Sequence, residues 1–327
     1  MKLPRRKFLH LAASAAALPA LPRIAKGQAY PSRPLRIVVG FPPGGPPDIA
    51  ARVLAERLSE AWARPVVVEN ATGSGGNLAV ERVARAQPDG YTLLIVSNAI
   101  VINPGLYEKL PYAQSDLAPI SLAAFTPCIL VVNNNVPAKS VQEIVALARA
   151  QPGKLTFGHA GVGTPAHLAG ELFKVRAGLD IQAVPYRGMP VALPDLLSGI
   201  ITMMFPNLQV ALPLVRTGQA RALAVTSLQR FSATPDIPTM VEQGFPEFEA
   251  NAWFGLMAPA GTPRAVIDWL NAESRRAFEA PDVRERLTKQ GLQLPLGTPE
   301  EFATLIAAES KHWADVIRKG GIKLESN

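Results

Sequence analysis

Three glycine-rich turns hold most of the groups in this chain that could meet a ligand. They read Phe41-Pro42-Pro43-Gly44-Gly45-Pro46-Pro47-Asp48, Asn70-Ala71-Thr72-Gly73-Ser74-Gly75-Gly76-Asn77 and Gly158-His159-Ala160-Gly161-Val162-Gly163-Thr164-Pro165. Each leads from an apolar, strand-like run into a helical pattern. A helix start exposes unpaired backbone N–H groups at the positive end of its dipole, so it attracts anions. Glycine there lets the backbone approach with no Cβ in the way. The chemistry implied is the gripping of a small anion, not its conversion.

Catalytic and metal-binding groups are sparse. After residue 29 the histidines are His159, His167 and His312. His159 and His167 lie eight apart across a turn, not at the i, i+4 spacing of a zinc helix. The one cysteine, Cys128, sits in the apolar run Cys128-Ile129-Leu130-Val131-Val132 and reads as a buried, inert thiol. No metal site is expected. The run Gly161–Ala166 matches the dinucleotide fingerprint, but that fingerprint needs an acidic residue at the end of the next strand. Asp180 precedes that strand, which ends in Val184-Pro185-Tyr186-Arg187. No cofactor is expected. Thr164 reads instead as a helix N-cap with Pro165 at the first helical position. The stretch Thr72–Gly76 resembles a serine-protease nucleophile loop, yet the only histidine before it is His10, and an elbow motif would need glycine at 72. An enzyme, whether dehydrogenase or hydrolase, is the competing class, and its only candidate bases are His159 and His167.

Several polar residues admit two roles. His167, one turn into its helix, either bonds a ligand carboxylate or caps the loop. Asp48 is either a helix cap or a ligand group, and a carboxylate beside a bound anion would repel it. Asn98, Asn103 and Asn207 follow strand patterns, where asparagine is either a ligand donor or a turn residue. In open α/β sheets ligands sit beyond the carboxyl ends of strands, which favours a binding role for all three.

Residues 1–29 read as an export signal of twin-arginine type, with Arg5-Arg6-Lys7-Phe8-Leu9, an alanine-rich stretch and small residues before Ala29. The apolar stretch is short for a membrane span and is broken by Pro19 and Pro22. The expectation is cleavage near Ala29 and a periplasmic product. The leader holds six Lys and Arg residues and no acidic ones, so its removal takes the formal charge from +7 to +1. A nucleic-acid partner is therefore not expected. With a lone cysteine the fold must rest on its core, and about 300 residues suffice for that.

From Tyr30 onward, β-rich runs alternate with amphipathic helices, which implies parallel βαβ architecture. Strands are predicted at residues 35–40, 66–69, 92–96, 129–132, 155–157, 181–184, 201–204, 222–225 and 254–257. Helices are predicted at 48–63, 77–86, 140–150, 165–177, 190–197 and 209–217, with a helical tail from 263 to 319. Nine strands are too many for one doubly wound sheet and suit two α/β lobes.

The series of motifs resembles the Bug-type substrate-binding proteins of tripartite tricarboxylate transporters. The likeness is carried by Phe41–Asp48, Val66-Val67-Val68-Glu69-Asn70, Gly73–Asn77, Pro88-Asp89-Gly90-Tyr91-Thr92 and Asn103-Pro104. It continues through Gly161–Thr164, His167–Phe173, Val184–Gly188, Arg221–Thr226 and Trp253–Pro263. It implies a two-lobed α/β fold of the type II periplasmic-binding-protein kind, with the ligand cleft between the lobes. Residues 30–129 plus 254–327 would form the first lobe and 130–253 the second. The resemblance further implies a monomeric receptor that takes a small carboxylate to membrane permease subunits by hinge closure. A sensor that delivers its ligand to a signalling partner is the alternative. The site it implies comprises Phe41, Pro42, Gly44, Gly45, Asp48, Asn98 and Asn103 from the first lobe. The second lobe would add Gly161, Gly163, Thr164, His167, Tyr186 and Asn207. This chain departs from many relatives at Pro206, which brings no donor, and at Met189, which narrows or greases the pocket.

Overall fold

The computed structural model describes residues 30–320 and residue 322; the predicted export signal at 1–29 lies outside the described residues. Ten strands make two five-stranded sheets. The first holds β1 (Leu35–Val39), β2 (Val66–Asn70), β3 (Thr92–Ser97), β4 (Leu117–Pro127) and β10 (Asn251–Pro259) in the order β2-β1-β3-β10-β4. The second holds β5 (Ile129–Asn133), β6 (Thr156–His159), β7 (Gln182–Pro185), β8 (Met203–Met204) and β9 (Ala220–Val225) in the order β7-β6-β8-β5-β9. The helices are α1 (Pro46–Trp62), α2 (Asn77–Ala84), α3 (Ala99–Leu106), α4 (Val141–Ala150) and α5 (Pro165–Ala177). After them come α6 (Met189–Ser198), α7 (Leu208–Arg216), α8 (Arg264–Glu279), α9 (Pro281–Lys289) and α10 (Pro299–Gly320).

The two sheets share one plan. Four strands run the same way in each, and the fourth in order is reversed: β10 is antiparallel to β3 and β4, and β5 is antiparallel to β8 and β9. Each reversed strand is the one that arrives from the other sheet. The chain leaves the first sheet after Pro127, enters the second at Ile129, and returns between Val225 and Asn251. Purely parallel βαβ packing is thus corrected to a parallel sheet with one reversed strand in each half.

Hydrophobic pattern explains the layering. β1 reads Leu-Arg-Ile-Val-Val and buries every residue except Arg36, as a strand covered on both faces must. α1 lays Ala50, Val53, Leu54 and Leu58 against the first sheet, a 3.6-residue stripe. α1 begins at Pro46, with Gly45 at the N-cap, so Asp48 lies in the first turn rather than at the cap. Two elements depart from the sequence reading. The long strand β4 stands where none was predicted, and the segment after β3 is the buried helix α3 rather than a turn.

The carboxyl ends of β1, β3, β6 and β8 all open toward one cleft between the sheets. Contacts across it are close enough that the chain from Arg33 onward clusters as one unit.

Candidate functional site

The first-lobe wall of the cleft is made by Phe41, Pro42, Gly45, Pro46 and Pro47, with Ser97 at the end of β3 and Phe254 on β10. The facing wall comes from Ala160, Thr164, Pro165 and Ala166, from Gly188, Met189 and Pro190, and from Asn207. The free volume between the walls is about 40 Å³, and the space opens to solvent at one side. The N-termini of α1, α5, α6 and α7 all point into it, so positive dipole ends converge on one small volume. The sequence reading missed Ser97 and Phe254 as wall residues. The end of a strand was the available signal for Ser97.

The loop after β1 is locked by Asp48, which is 2% exposed. Its Oδ2 accepts from the Gly44 N–H at 3.0 Å and from Arg52 Nε at 2.9 Å. Its Oδ1 accepts from Asn70 Nδ2 at 2.9 Å, and the same Asn70 amide donates to the Phe41 carbonyl. Burial alone would raise the Asp48 pKa, but hydrogen bonds from Arg52, Gly44 and Asn70 outweigh it and hold the carboxyl below its usual range. Asp48 is therefore ionised and spoken for, and the Gly44 amide faces it rather than the cleft.

The loop after β6 is locked differently. Thr164 caps α5: its Oγ1 accepts from the His167 N–H at 3.4 Å and donates to the Gly161 carbonyl at 2.6 Å. The Gly163 N–H donates to His167 Nδ1 at 3.4 Å. His159 and His167 are buried with ring centroids 4.6 Å apart. Burial, then neighbouring positive charge, pushes His167 down to about 3; burial likewise takes His159 down to about 4. Both imidazoles are neutral, which leaves His167 Nδ1 free to accept. His167 thus braces the loop from behind and does not line the cleft.

The remaining candidates fall into two groups. Asn98 is fully buried, donating through Nδ2 to the Asn251 carbonyl, and Asn103 donates to Asn77 Oδ1 at 2.6 Å. Tyr112 also donates to Asn77 Oδ1, making a buried cluster that sequence spacing gave no reason to suspect. Asn103 lies against the second-lobe loop: a Cβ placed on Gly163 would sit 1.7 Å from its Oδ1. Gly161 and Tyr186 line a neighbouring cavity together with Gly73–Gly76 and Arg187. The Tyr186 hydroxyl donates to Asp195, and burial followed by that carboxylate raises it to about 12. Asn207 lines the main cleft and accepts from the Cys128 thiol at 3.7 Å. Burial pushes that thiol up to about 12, well away from nucleophilic character. Among the described residues no group of three His, Cys, Asp or Glu side chains is placed to hold a metal ion.

Two α/β lobes that enclose a small cleft rich in helix N-termini define the class of two-lobed solute-binding receptors. The match to the model of the tripartite tricarboxylate transporter family receptor, over residues 50–322, places the chain in that family, among its Bug-type members. The chain is 38% identical to the protein BugT of Bordetella pertussis over 299 residues, covering 90% of this chain and 92% of that one. It is also similar to the R. palustris protein Rpa4515, solved with adipate, at a TM-score of 0.87 and 34% identity, covering 90% of this chain and all of that one. MatC from Rhodopseudomonas palustris with bound malate gives a TM-score of 0.83 at 33% identity, over 88% of this chain and 100% of that one.

Proposed function

We propose that this protein is a periplasmic receptor that captures a small carboxylate in the cleft and delivers it to membrane permease subunits of a tripartite tricarboxylate-type transporter. The observation that carries this reading is the convergence of four helix N-termini on one cleft whose lining includes no charged side chain. A carboxylate there replaces water with fixed N–H and hydroxyl dipoles, and charge-assisted bonds of this kind contribute roughly 1.5–3 kcal/mol each. The solved relatives with adipate and malate support a carboxylate as the ligand class.

The lobes act as two closing bodies, residues 30–129 plus 254–327 and residues 130–253. The crossings at Pro127–Ile129 and between Val225 and Asn251 support a hinge close to those limits, with Ile129 on the second sheet and Asn251–Trp253 on the first. A bound acid favours closure only through contacts it gains when both walls reach it. The product acts as a monomer, without catalysis, after export and cleavage near Ala29.

A thermal-shift screen of carboxylates on the chain from Tyr30 tests the reading. A true ligand at 100 times its dissociation constant stabilises the fold by about 2.7 kcal/mol. A panel of mono-, di- and tricarboxylates that leaves the unfolding midpoint unmoved removes the proposal.

A further inference from the structure

We propose that the cavity beside the main cleft seats a second carboxylate, held by Arg187, so that the receptor prefers diacids to monoacids. This rests on the carboxylate-receptor reading above and deepens it.

The main cleft leaves a free volume of about 40 Å³, room for only a few water molecules. A carboxylate at its helix N-termini fills that space, and a longer acid has to extend beyond it. The neighbouring cavity has about 170 Å³ free and shares Phe41 and Ala160 with the cleft. Its walls come from Gly73–Gly76 and Tyr107 of the first lobe and from Val162, Tyr186 and Arg187 of the second. The two lobes touch along it: a Cβ placed on Gly75 would sit 2.4 Å from the Val162 carbonyl oxygen. A group held there is therefore met by both lobes.

Three side chains on these walls have donors to spare. Arg187 is exposed and has no carboxylate partner among the described residues. The Tyr107 and Ser74 hydroxyls likewise make no hydrogen bond with another described residue. Tyr186 differs, because its hydroxyl donates to Asp195 and leaves only the ring as wall. No acidic side chain lines the cavity, so nothing in the lining repels an anion. An arginine fork meets a carboxylate through two parallel N–H bonds and supplies the full positive charge that the main cleft lacks. Exposure spares Arg187 most of the desolvation cost of pairing and keeps the gain modest. The Phe41 ring, common to both spaces, offers apolar surface to a methylene chain joining the two carboxylates.

The test is titration calorimetry at pH 7 on the chain from Tyr30 with two six-carbon probes, adipate and hexanoate. Adipate should bind at least about ten-fold more tightly than hexanoate. Arg187→Gln should weaken adipate about ten-fold and hexanoate less than about two-fold, with the urea midpoint unmoved. Hexanoate binding the unaltered chain as tightly as adipate overturns the second seat and leaves the receptor reading standing. So does an adipate affinity that falls no further than that of hexanoate in Arg187→Gln. No heat from either acid also removes the proposal, and the carboxylate screen above then decides the receptor reading by itself.

Discussion

The two loops that face each other across the cleft are fixed by opposite electrostatics. The first-lobe loop is fixed by a charge, the Asp48 carboxylate bonded to Gly44, Asn70 and Arg52. The second-lobe loop is fixed by neutral imidazoles, with His167 accepting from Gly163 and packed at a tilt against His159. The difference follows from access to water. The Arg52 side chain is 53% exposed, so its charge stays solvated while it serves Asp48. The histidines are buried without a carboxylate partner and beside Lys174, so a further proton there is unfavourable. A charged brace survives where one partner reaches solvent; a sealed brace must be uncharged.

Acid should separate the two most strongly. Both histidines titrate in the fold well below the ordinary value of about 6.5. Above that pH neither state is protonated, so stability is intact. As pH falls toward about 4 the unfolded chain gains protons that the folded chain refuses, and stability declines by on the order of 3 kcal/mol for each histidine. The Asp48 carboxyl, held below its usual value, keeps its contribution through that window and loses it only at lower pH. Urea midpoints measured from pH 7 to 4 should therefore lose about half their slope in His167→Gln, where His159 still titrates, and keep the wild-type slope in Asp48→Asn. The reverse result would show that the two braces have been assigned to the wrong loops.

Glycine substitutions sharpen the contrast. Gly163→Ala drives a Cβ to 1.7 Å from Asn103 Oδ1 and should hold the lobes apart, weakening ligand binding by about 2 kcal/mol, or roughly 30-fold. Gly44 has a φ of +87° but open space around it. Gly44→Ala should strain the loop by about 1 kcal/mol with far less effect on affinity. Equal losses in calorimetry for the two variants would mean that the lobes do not meet at Gly163. The smallest effect is Thr164→Ala, which removes the cap of α5 and should lower stability by about 1 kcal/mol in urea unfolding.

Local chemistry made the glycine turns, the Thr164 cap and most strands legible in the sequence, because each depends on neighbours in the chain. What stayed hidden depends on distant partners. β4 contains Pro119, Ala118, Ala123 and Ala124, a weak strand composition, and forms because β10 pairs with it from Leu117 to Pro127. α3 contains Asn103-Pro104, which reads as a turn, yet burial of Ile100, Val101 and Ile102 carries the helix through. The roles of Asn98 and Asn103 were open for the same reason: Asn251 and Asn77, their partners, are remote in sequence. Gly44 shows the limit at the cleft itself. Its sequence context suggests an amide aimed at an anion, and only the fold reveals that Asp48 already occupies it.

Leu168, one turn into α5 on the second lobe, is fully buried and belongs to the same apolar cluster as Val38, Val96 and Trp253 of the first. Sequestering that side chain contributes about 1.5–3 kcal/mol. It lies one turn beyond the Thr164 cap, so any shift of that loop is carried directly into the apolar interior beneath the first sheet.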